Sequence, residues 1–271
     1  MRGTYPAQAA SPGPAGNADT RPPRQLARLF APLLASAADT GAIETGAAGY
    51  FSSWGWRYEL TRFCLRASAA GGRPMRLGLF AGLHGDEPAG CLALVEWLIA
   101  LASAPERVAG YELFVYPVCN PTGYEDNTRA NRAGKDLNRE FWHGSAEPEV
   151  RFIEREIAEQ RFDGIVTLHS DDTSEGIYGY AHGRLLNEAL LIPALEAAEI
   201  FLPRDRRPMI DGFPARDGVL AQCFTGVLAP PAEWERHPFD LIFETPAHAS
   251  LHAQIDATRA ALDAIVDGYR R

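Results

Sequence analysis

Three residues that can bind a metal ion follow two apolar runs of this sequence. The run at residues 77–83 is followed at once by His84 and then by Glu87, and the run at residues 165–168 is followed by His169. Two imidazoles and a carboxylate can fill three positions around zinc and leave the fourth to water, which is typical of a catalytic zinc site. We therefore predict that His84, Glu87 and His169 bind one metal ion.

A structural interpretation of the His84/Glu87 pair is also open. A glutamate at the start of a helix is stabilised by the helix dipole, and a partly buried histidine can lie beside it without any metal. Gly82 and Gly85 on either side of His84, together with the distant His169, favour the metal site.

Other polar side chains near these runs have less specific interpretations. Asp86 can cap the following helix or support a metal ligand through a hydrogen bond. Asp171 and Asp172, just after His169, either support a ligand in the same way or lie in a solvated loop. The remaining histidines lie in predicted loops or on a polar helix face, and we expect them to be structural: His143, His182, His237, His248 and His252.

The segment at residues 120–139 concentrates positive charge, with Arg129, Arg132, Lys135 and Arg139 close together. A solvated loop can carry such charge without any function. The functional alternative is a carboxylate-binding pocket, in which Arg139 forms a two-pronged ion pair and Asn138 donates beside it. A second arginine could then stabilise the oxyanion that forms when water attacks a carbonyl group.

Glu244 directly follows the apolar residues 241–243. A carboxylate in such surroundings must meet solvent, a charged partner or a metal site. Near a metal-activated water it could take the proton and pass it to the leaving nitrogen. The alternative is a structural glutamate in a salt bridge.

Short apolar strands alternate with helices along the chain, which predicts an α/β fold with a mixed, largely parallel sheet. In such sheets, binding sites gather at the carboxyl ends of strands, where His84, His169 and Glu244 all lie. The predicted strands are residues 57–67, 76–83, 111–118, 164–168 and 241–243, and the predicted helices are residues 88–103, 147–160, 184–200 and 248–268. Residues 24–37 have helical spacing that Pro32 interrupts, and residues 119–145 are predicted to form a long polar loop.

The composition sets limits on the kind of protein. The chain has 271 residues, and its net charge of −9 does not favour nucleic acid or an anionic membrane as a partner. Residues 1–22, rich in Ala, Pro, Gly and Ser, are expected to be disordered, and residues 23–271 to form a single domain. The four cysteines are widely spaced, no apolar run is long enough to cross a membrane, and no signal-peptide pattern is present, so we expect a cytoplasmic protein.

Five segments together resemble the zinc carboxypeptidase superfamily (M14-type metallopeptidases), including its succinylglutamate desuccinylase and aspartoacylase branch. The segments occur in the family's order, and the resemblance covers about residues 56–268. They are Gly82-Leu-His-Gly-Asp-Glu87, Asn120-Pro-Thr-Gly123, Arg129-Ala-Asn-Arg-Ala-Gly-Lys-Asp-Leu-Asn-Arg139, Leu168-His169 and Phe243-Glu244. The resemblance implies a single domain with an eight-stranded mixed sheet flanked by helices.

The resemblance also implies a role for each matching residue. His84, Glu87 and His169 would bind one Zn²⁺ per chain. Asn138 and Arg139 would hold the terminal carboxylate of a substrate, and Glu244 would act as general base and then as general acid. Arg129 would polarise the scissile carbonyl, with Arg132 as the alternative.

One feature of the family is missing from this chain. Peptide-cleaving members usually carry a substrate-contacting tyrosine roughly twenty residues before the catalytic glutamate, and here no tyrosine occurs between Tyr180 and Tyr269. Tyr178 or Tyr180 could supply the phenol from another loop.

The sequence therefore predicts a zinc-dependent hydrolase that cleaves an amide bond next to a free carboxylate. The first candidate is a metallocarboxypeptidase acting on small peptides, and the alternative is an N-acyl-amino-acid deacylase. An inactive binding module and a structural zinc protein are disfavoured, because no ligand or base is lost and no cysteine is placed to close the site. The same ligand set could also take cobalt or manganese.

Overall fold

The computed structural model describes residues 24–66, 72–182, 184–231, 234–235 and 237–268. The expectation of disorder for residues 1–22 lies outside the described residues, as do the last residue of the strand predicted at 57–67 and residues 269–271 of the predicted domain. No helix in the described ranges is long and apolar enough to cross a membrane.

The described strands form one mixed sheet. Its order is β1-β2-β4-β3-β5-β10-β6-β9-β8-β7, and the central strands β4, β3, β5 and β10 run parallel to one another. The strands are β1 (Ile43–Ser53), β2 (Trp56–Arg66), β3 (Met75–Ala81), β4 (Tyr111–Tyr116), β5 (Gly164–Asp171), β6 (Tyr178–Ala181), β7 (Met209–Ile210), β8 (Phe213–Arg216), β9 (Val219–Leu220) and β10 (Phe239–Pro246).

The α/β class and the mixed sheet are confirmed, but the prediction of eight strands is wrong, because the sheet has ten. Three of the strands that the sequence did not predict, β7, β8 and β9, are only two to four residues long and form one edge. Such short strands carry too few residues for an alternating pattern to stand out.

Helices cover both faces of the sheet. The helices are α1 (Leu26–Thr40), α2 (Pro88–Ala102), α3 (Pro121–Asp126), α4 (Pro148–Gln160), α5 (Arg184–Leu186), α6 (Ile192–Ala198) and α7 (Leu251–Gly268). Buried side chains of α1, α2, α6 and α7 share one hydrophobic cluster, and those of α4 belong to a second cluster.

The side chains of each strand point alternately to the two faces of the sheet, which explains why there are two hydrophobic clusters. Leu113 and Val115 of β4 pack in the first cluster, whereas Phe114 and Tyr116 pack in the second. Successive side chains of a strand point to opposite faces, so a strand covered by helices on both sides is apolar throughout. The sheet is therefore the middle layer of three.

Three local predictions need correction. Pro32 does not interrupt the first helix, because it lies exposed inside α1 while Leu29, Phe30 and Leu33 keep a buried stripe. Residues 119–145 contain α3 and a short 3₁₀ turn at Leu137–Arg139, so they are not one continuous loop. The helix predicted at 184–200 is divided into α5, a π-helical turn at Asn187–Leu191 and α6.

Candidate active site

The turn between β3 and α2 carries the first two candidate metal ligands. Gly82 adopts a positive φ of 62°, which turns the chain sharply after β3. Gly85 lies against the backbone of Gly123, where an added Cβ would be only 1.9 Å from the Gly123 carbonyl carbon. A side chain at position 85 would therefore push this turn away from α3, so the glycine lets His84 and Glu87 reach the sheet edge.

His84, Glu87 and His169 come together at the carboxyl ends of β3 and β5, as the sequence predicted. Their potential ligand atoms all lie within 4.8 Å of one another, and the three side chains are buried. The Nδ1 atom of His84 is 2.5 Å from Glu87 Oε1, and the Nδ1 atom of His169 is 3.0 Å from Glu87 Oε2. Two imidazoles and one carboxylate converging on one point match the donor set of an open metal site.

The pKa of each side chain in this cluster depends strongly on the charges of its neighbours. Burial alone would raise the pKa of Glu87, but His84 and His169 lower it well below its usual range. Burial would lower the pKa of His84, and the nearby Glu87 and Asp136 carboxylates raise it to about 9. Burial lowers the pKa of His169 despite its contact with Glu87. The cluster therefore holds an ionised carboxylate between two rings that differ in their affinity for a proton.

Asp136 supports the cluster, a role that the sequence did not reveal. Its Oδ1 lies 3.0 Å from His84 Nε2, on the side of the ring opposite Glu87. A proton held on Nε2 by this carboxylate leaves the Nδ1 lone pair free for a metal ion. Asp136 lies inside the Arg129–Arg139 segment, but its partner is some fifty positions away in the chain, so local spacing gave no signal.

The backbone of β5 also fixes Glu87. The amide of Ser170 donates a hydrogen bond of 3.0 Å to Glu87 Oε2. Each oxygen of the carboxylate therefore faces a histidine, and one of them is additionally held by the strand that carries His169.

Glu244 lies beside this cluster on β10. It pairs in register with His169 of the parallel neighbour β5 and lines the same cleft as His84 and Glu87. Burial and the charges of Glu87, Asp171 and Asp211 raise the pKa of Glu244 well above its usual range. A carboxyl group with a raised pKa is a stronger base once it is ionised.

The two best candidate arginines, Arg129 and Arg139, both line the cleft. The guanidinium of Arg129 lies 3.1 Å from Asp136 Oδ2 and 3.5 Å from Glu87 Oε1. Arg139 donates to the carbonyl oxygen of Asn138 at 2.8 Å, and its guanidinium lies 4.3 Å from the ring centre of Phe224. Stacking on an aromatic ring keeps the remaining guanidinium N–H groups available for a ligand.

Asn138 contacts the metal cluster through His169. Its side-chain nitrogen is 3.5 Å from His169 Nε2, and its side-chain oxygen accepts a hydrogen bond of 2.9 Å from the amide of Leu228. The side chain is buried and lines the cleft.

The structure does not bring Arg132, the alternative arginine, to the cleft. Its guanidinium is paired with Asp126 at 2.7 Å and also contacts the Tyr58 hydroxyl group. It lies 5.0 Å from the ring centre of Trp54. This arginine therefore connects α3 to the β1–β2 hairpin, and its contacts hold these two elements together.

The remaining cleft wall comes from β6, from the loop after β5 and from the segment at residues 211–227. Tyr178 and Tyr180, either of which was expected to supply the missing phenol, both line the cleft. The Tyr178 hydroxyl donates to Asp171 at 2.9 Å, whereas the Tyr180 hydroxyl lies 3.2 Å from His182 Nδ1. The described residues that line the cleft enclose about 420 Å³, a volume that suits a small molecule or the end of a peptide.

Other predictions for polar residues near the site have mixed outcomes. Asp86 lines the cleft but does not cap α2, because the residue at the N-cap position is Glu87. Asp171 and Asp172 also line the cleft. None of the five histidines expected to be structural is among the described residues of the cleft wall.

A family comparison matches the part of the chain that carries the candidate ligands. Residues 75–202 match the model of the succinylglutamate desuccinylase/aspartoacylase catalytic domain. This segment includes His84, Glu87 and His169 but not Glu244. No curated protein sequence matches the chain.

Solved structures with the same fold cover most of the chain. A candidate metallopeptidase from Shewanella denitrificans is 22% identical, with a TM-score of 0.73 and 88% of each chain covered. A metallo-carboxypeptidase from Burkholderia cenocepacia is 16% identical, with a TM-score of 0.71 over 92% of this chain and 70% of the other. A metallo-carboxypeptidase from Pseudomonas aeruginosa, in complex with (2-guanidinoethylmercapto)succinic acid, is 20% identical, with a TM-score of 0.65 over 90% and 69%. At these identities the similarity establishes the fold.

Proposed function

We propose that the chain is a member of the M14-like superfamily of zinc carboxypeptidases and that it is a zinc-dependent hydrolase of an amide bond next to a free carboxylate. The observation that carries this proposal is the cluster of His84, Glu87 and His169, beside a cleft that His84 and Glu87 line together with Glu244. A metal-binding cluster beside a carboxylate base is the minimum that metal-assisted hydrolysis requires.

The donor set fits zinc. Two Nδ1 atoms and an ionised carboxylate face one another, and no protein side chain closes the fourth side of the cluster within the described residues. A zinc ion held there would acidify a water molecule and polarise a carbonyl oxygen.

Glu244 supplies the base in this proposal. Its carboxylate removes a proton from the water molecule that attacks the scissile carbonyl carbon. The carbonyl π bond opens toward oxygen as the new C–O bond forms, and the C–N bond then breaks. The carboxyl group of Glu244 returns the proton to the leaving nitrogen, so the base is regenerated at the end of the cycle.

Arg129 stabilises the negative charge that develops on the carbonyl oxygen. Its guanidinium lines the cleft and is held close to Glu87 by Asp136, so it needs little reorganisation during the reaction. Arg139 and Asn138 bind the carboxylate of the substrate, which fixes the scissile bond relative to Glu244. Tyr180 is partly exposed at the cleft wall whereas Tyr178 is buried, so Tyr180 is the better placed of the two tyrosines to contact a substrate.

Two substrate classes fit this chemistry. A metallocarboxypeptidase releases the C-terminal residue of a peptide, and we propose this as the first candidate because several solved structures of the same fold are carboxypeptidases. An N-acyl-amino-acid deacylase is the second candidate, because the matching family model is that of the desuccinylase/aspartoacylase domain.

A substrate panel distinguishes the two candidates. The zinc-loaded protein is incubated with N-blocked peptides that have free or amidated C-termini, and with N-acyl amino acids including N-acetylaspartate and N-succinylglutamate. Loss of one C-terminal residue that amidation blocks identifies a carboxypeptidase. Release of amino acid from the acyl compounds alone identifies a deacylase.

Glu244→Gln is the matched control for this panel. We expect kcat to fall by about 10²–10⁴-fold, because the amide cannot take the proton, while the zinc content stays at one per chain. A variant that retains full activity would contradict the role of Glu244. An absence of turnover on every substrate, with zinc bound, would contradict the proposed function.

A further inference from the structure

A buried carboxamide connects helix α7 to the strand ends that carry a proposed metal ligand and the proposed base. Gln254, in the first turn of α7, is 5% exposed and is not among the described residues of the cleft wall. Its side-chain oxygen lies 3.0 Å from the Ser170 hydroxyl of β5 and 3.1 Å from the Thr245 hydroxyl of β10. The two hydroxyl groups are themselves 3.0 Å apart. Three oxygen atoms from three elements therefore contact one another.

The nitrogen of the same carboxamide fixes its orientation. It donates to the carbonyl oxygens of Ala249 at 2.9 Å and Ala247 at 3.3 Å, in the turn between β10 and α7. Both N–H groups of Gln254 are used on this turn, so the oxygen must face the two hydroxyl groups. In a buried network of this kind, removal of one partner leaves the other polar groups unpaired, which makes the arrangement costly to disturb.

The hydroxyl groups lie directly behind the residues that we propose for catalysis. Ser170 and Thr245 pair in register on the parallel strands β5 and β10. Each comes one residue after a proposed functional group, the ligand His169 or the base Glu244, and these two also pair in register. Because successive side chains of a strand point to opposite faces, the hydroxyl groups face α7 and the functional groups face away from it. The amide of Ser170 also donates to Glu87, at 3.0 Å.

We propose that Gln254 is a positioning residue, which fixes the spacing between His169 and Glu244 by holding Ser170 and Thr245 to one acceptor. This inference rests on the proposed function and goes beyond it, because Gln254 lies outside the cleft wall and acts through the strand ends. A displacement of about 1 Å in a reacting group can cost about 100-fold in rate, so the spacing of the ligand and the base matters for turnover.

Substitutions of Thr245 separate hydrogen bonding from packing. Thr245→Val keeps the shape of the side chain without its hydroxyl group, whereas Thr245→Ser keeps the hydroxyl group and loses a methyl group. On the substrate that the parent protein hydrolyses fastest, we expect Thr245→Val to lower kcat by about 10–100-fold with little change in KM, and Thr245→Ser to keep most of the parental rate. Thr258→Val is the matched control, because it removes a buried hydroxyl group that contacts only the main chain of α7 at Gln254.

Gln254→Met tests the named residue with an apolar side chain of similar length. We expect the same loss of kcat as in Thr245→Val, and the double variant to lose little more than either single variant, because both changes remove one shared contact. The zinc content should stay at the parental value, and thermal unfolding shows whether each variant is folded at the assay temperature. A parental kcat in Gln254→Met, losses that multiply in the double variant, or equal kcat in Thr245→Val and Thr245→Ser would overturn the proposal.

Amide hydrogen exchange, followed by NMR on the full chain without added metal, tests the same contact independently of hydrolysis. We expect the Ser170 amide to exchange about tenfold faster in Gln254→Met than in the parent, because the strand ends separate more often. The amide of the buried Ile153 in α4 reports any loss of global stability, and its exchange should change less than that of Ser170.

This measurement keeps the two proposals separate. If the parent protein hydrolyses no substrate, the proposed function fails, and exchange at Ser170 still decides whether Gln254 holds the strand ends. Unchanged exchange at Ser170, or equal acceleration at Ser170 and Ile153, would overturn the positioning role.

Discussion

At the scale of single residues, the site is organised around Glu87. Both histidines contact its carboxylate, the amide of Ser170 donates to it, and Arg129 lies 3.5 Å away. The sequence predicted the three ligands because His84 and His169 each directly follow an apolar run, and Glu87 comes three residues after His84. It did not predict the role of Asp136, because that role depends on a contact with His84, some fifty positions away in the chain.

Asp136→Asn tests the support of His84. The amide removes the charge that holds a proton on His84 Nε2, so we expect zinc affinity to fall by about 10–100-fold. Competition with a chromogenic chelator measures this affinity. Asp126→Asn is the control, because Asp126 also pairs with an arginine of the same segment but lies outside the cleft wall. An Asp136→Asn protein with parental affinity would show that His84 needs no such partner.

At the scale of elements, helix α4 is fixed to the sheet by polar contacts inside the second hydrophobic cluster. The buried Glu156 of α4 accepts from Arg62 of β2 at 2.7 Å and from the Tyr116 hydroxyl of β4 at 2.5 Å. Removal of one partner of such a buried pair leaves a charge without compensation, which makes the position of α4 specific. The sequence predicted α4 from its apolar spacing, but it gave no indication of which strands the helix contacts.

Glu149, in the first turn of α4, predicts a pH dependence of stability. Burial raises its pKa from 4.5 to about 7, and its Oε2 has no hydrogen-bond partner. The folded state therefore binds the proton more tightly than the unfolded state does. The stability that this group contributes is complete below pH 4.5 and is lost as the pH rises through about 7.

Glu149→Gln removes this dependence. At pH 8 we expect the variant to be more stable than the parent by up to about 3 kcal/mol, whereas at pH 4.5 the two should be nearly equal. Urea unfolding at several pH values measures the difference. Glu159→Gln, on the exposed face of α4, should show no such trend. A constant difference across this range would mean that Glu149 titrates normally in the folded protein.

Contacts between elements also explain why some strands were not predicted from the sequence. Strand β1 contains the run Gly46-Ala-Ala-Gly49, which lacks the β-branched and aromatic residues that are typical of strands. It is a strand because β2 pairs with it along its whole length, with an irregularity between Ala47 and Gly49. The ring of Phe152 on α4 lies where a side chain at Gly49 would be. Tertiary contacts therefore decide the structure of this segment.

At the scale of the whole molecule, the proposed metal site joins parts of the chain that are far apart in sequence. His84 and Glu87 lie between β3 and α2, whereas His169 lies on β5. The mixed, largely parallel character of the sheet followed from the alternation of strands and helices, but the order of its strands did not. The full width of the sheet did not, because the strands at its β7 edge are short and hold together mainly through one another.

Metal binding should therefore stabilise the folded chain as a whole. With free zinc at about 100 times its dissociation constant we expect a gain of about 2.7 kcal/mol, which raises the Tm by roughly 5–10 °C for a domain of this size. Thermal unfolding with zinc and with chelator measures this shift. Magnesium, which prefers oxygen ligands, should have little effect. His169→Ala should abolish the response, and a zinc shift that survives this change would place the metal elsewhere.

The antiparallel edge of the sheet supplies part of the cleft wall from one continuous segment of the chain. Asp211, Phe213, Leu220 and Phe224 reach the cleft from the continuous segment at residues 209–224, whereas the proposed ligands and base lie on the central parallel strands. Substitutions in this segment can therefore alter what the cleft accepts while the catalytic groups stay in place. Substrate selectivity and catalytic rate can therefore change independently during evolution. The same segment is the part of the chain to vary when the substrate preference is redesigned.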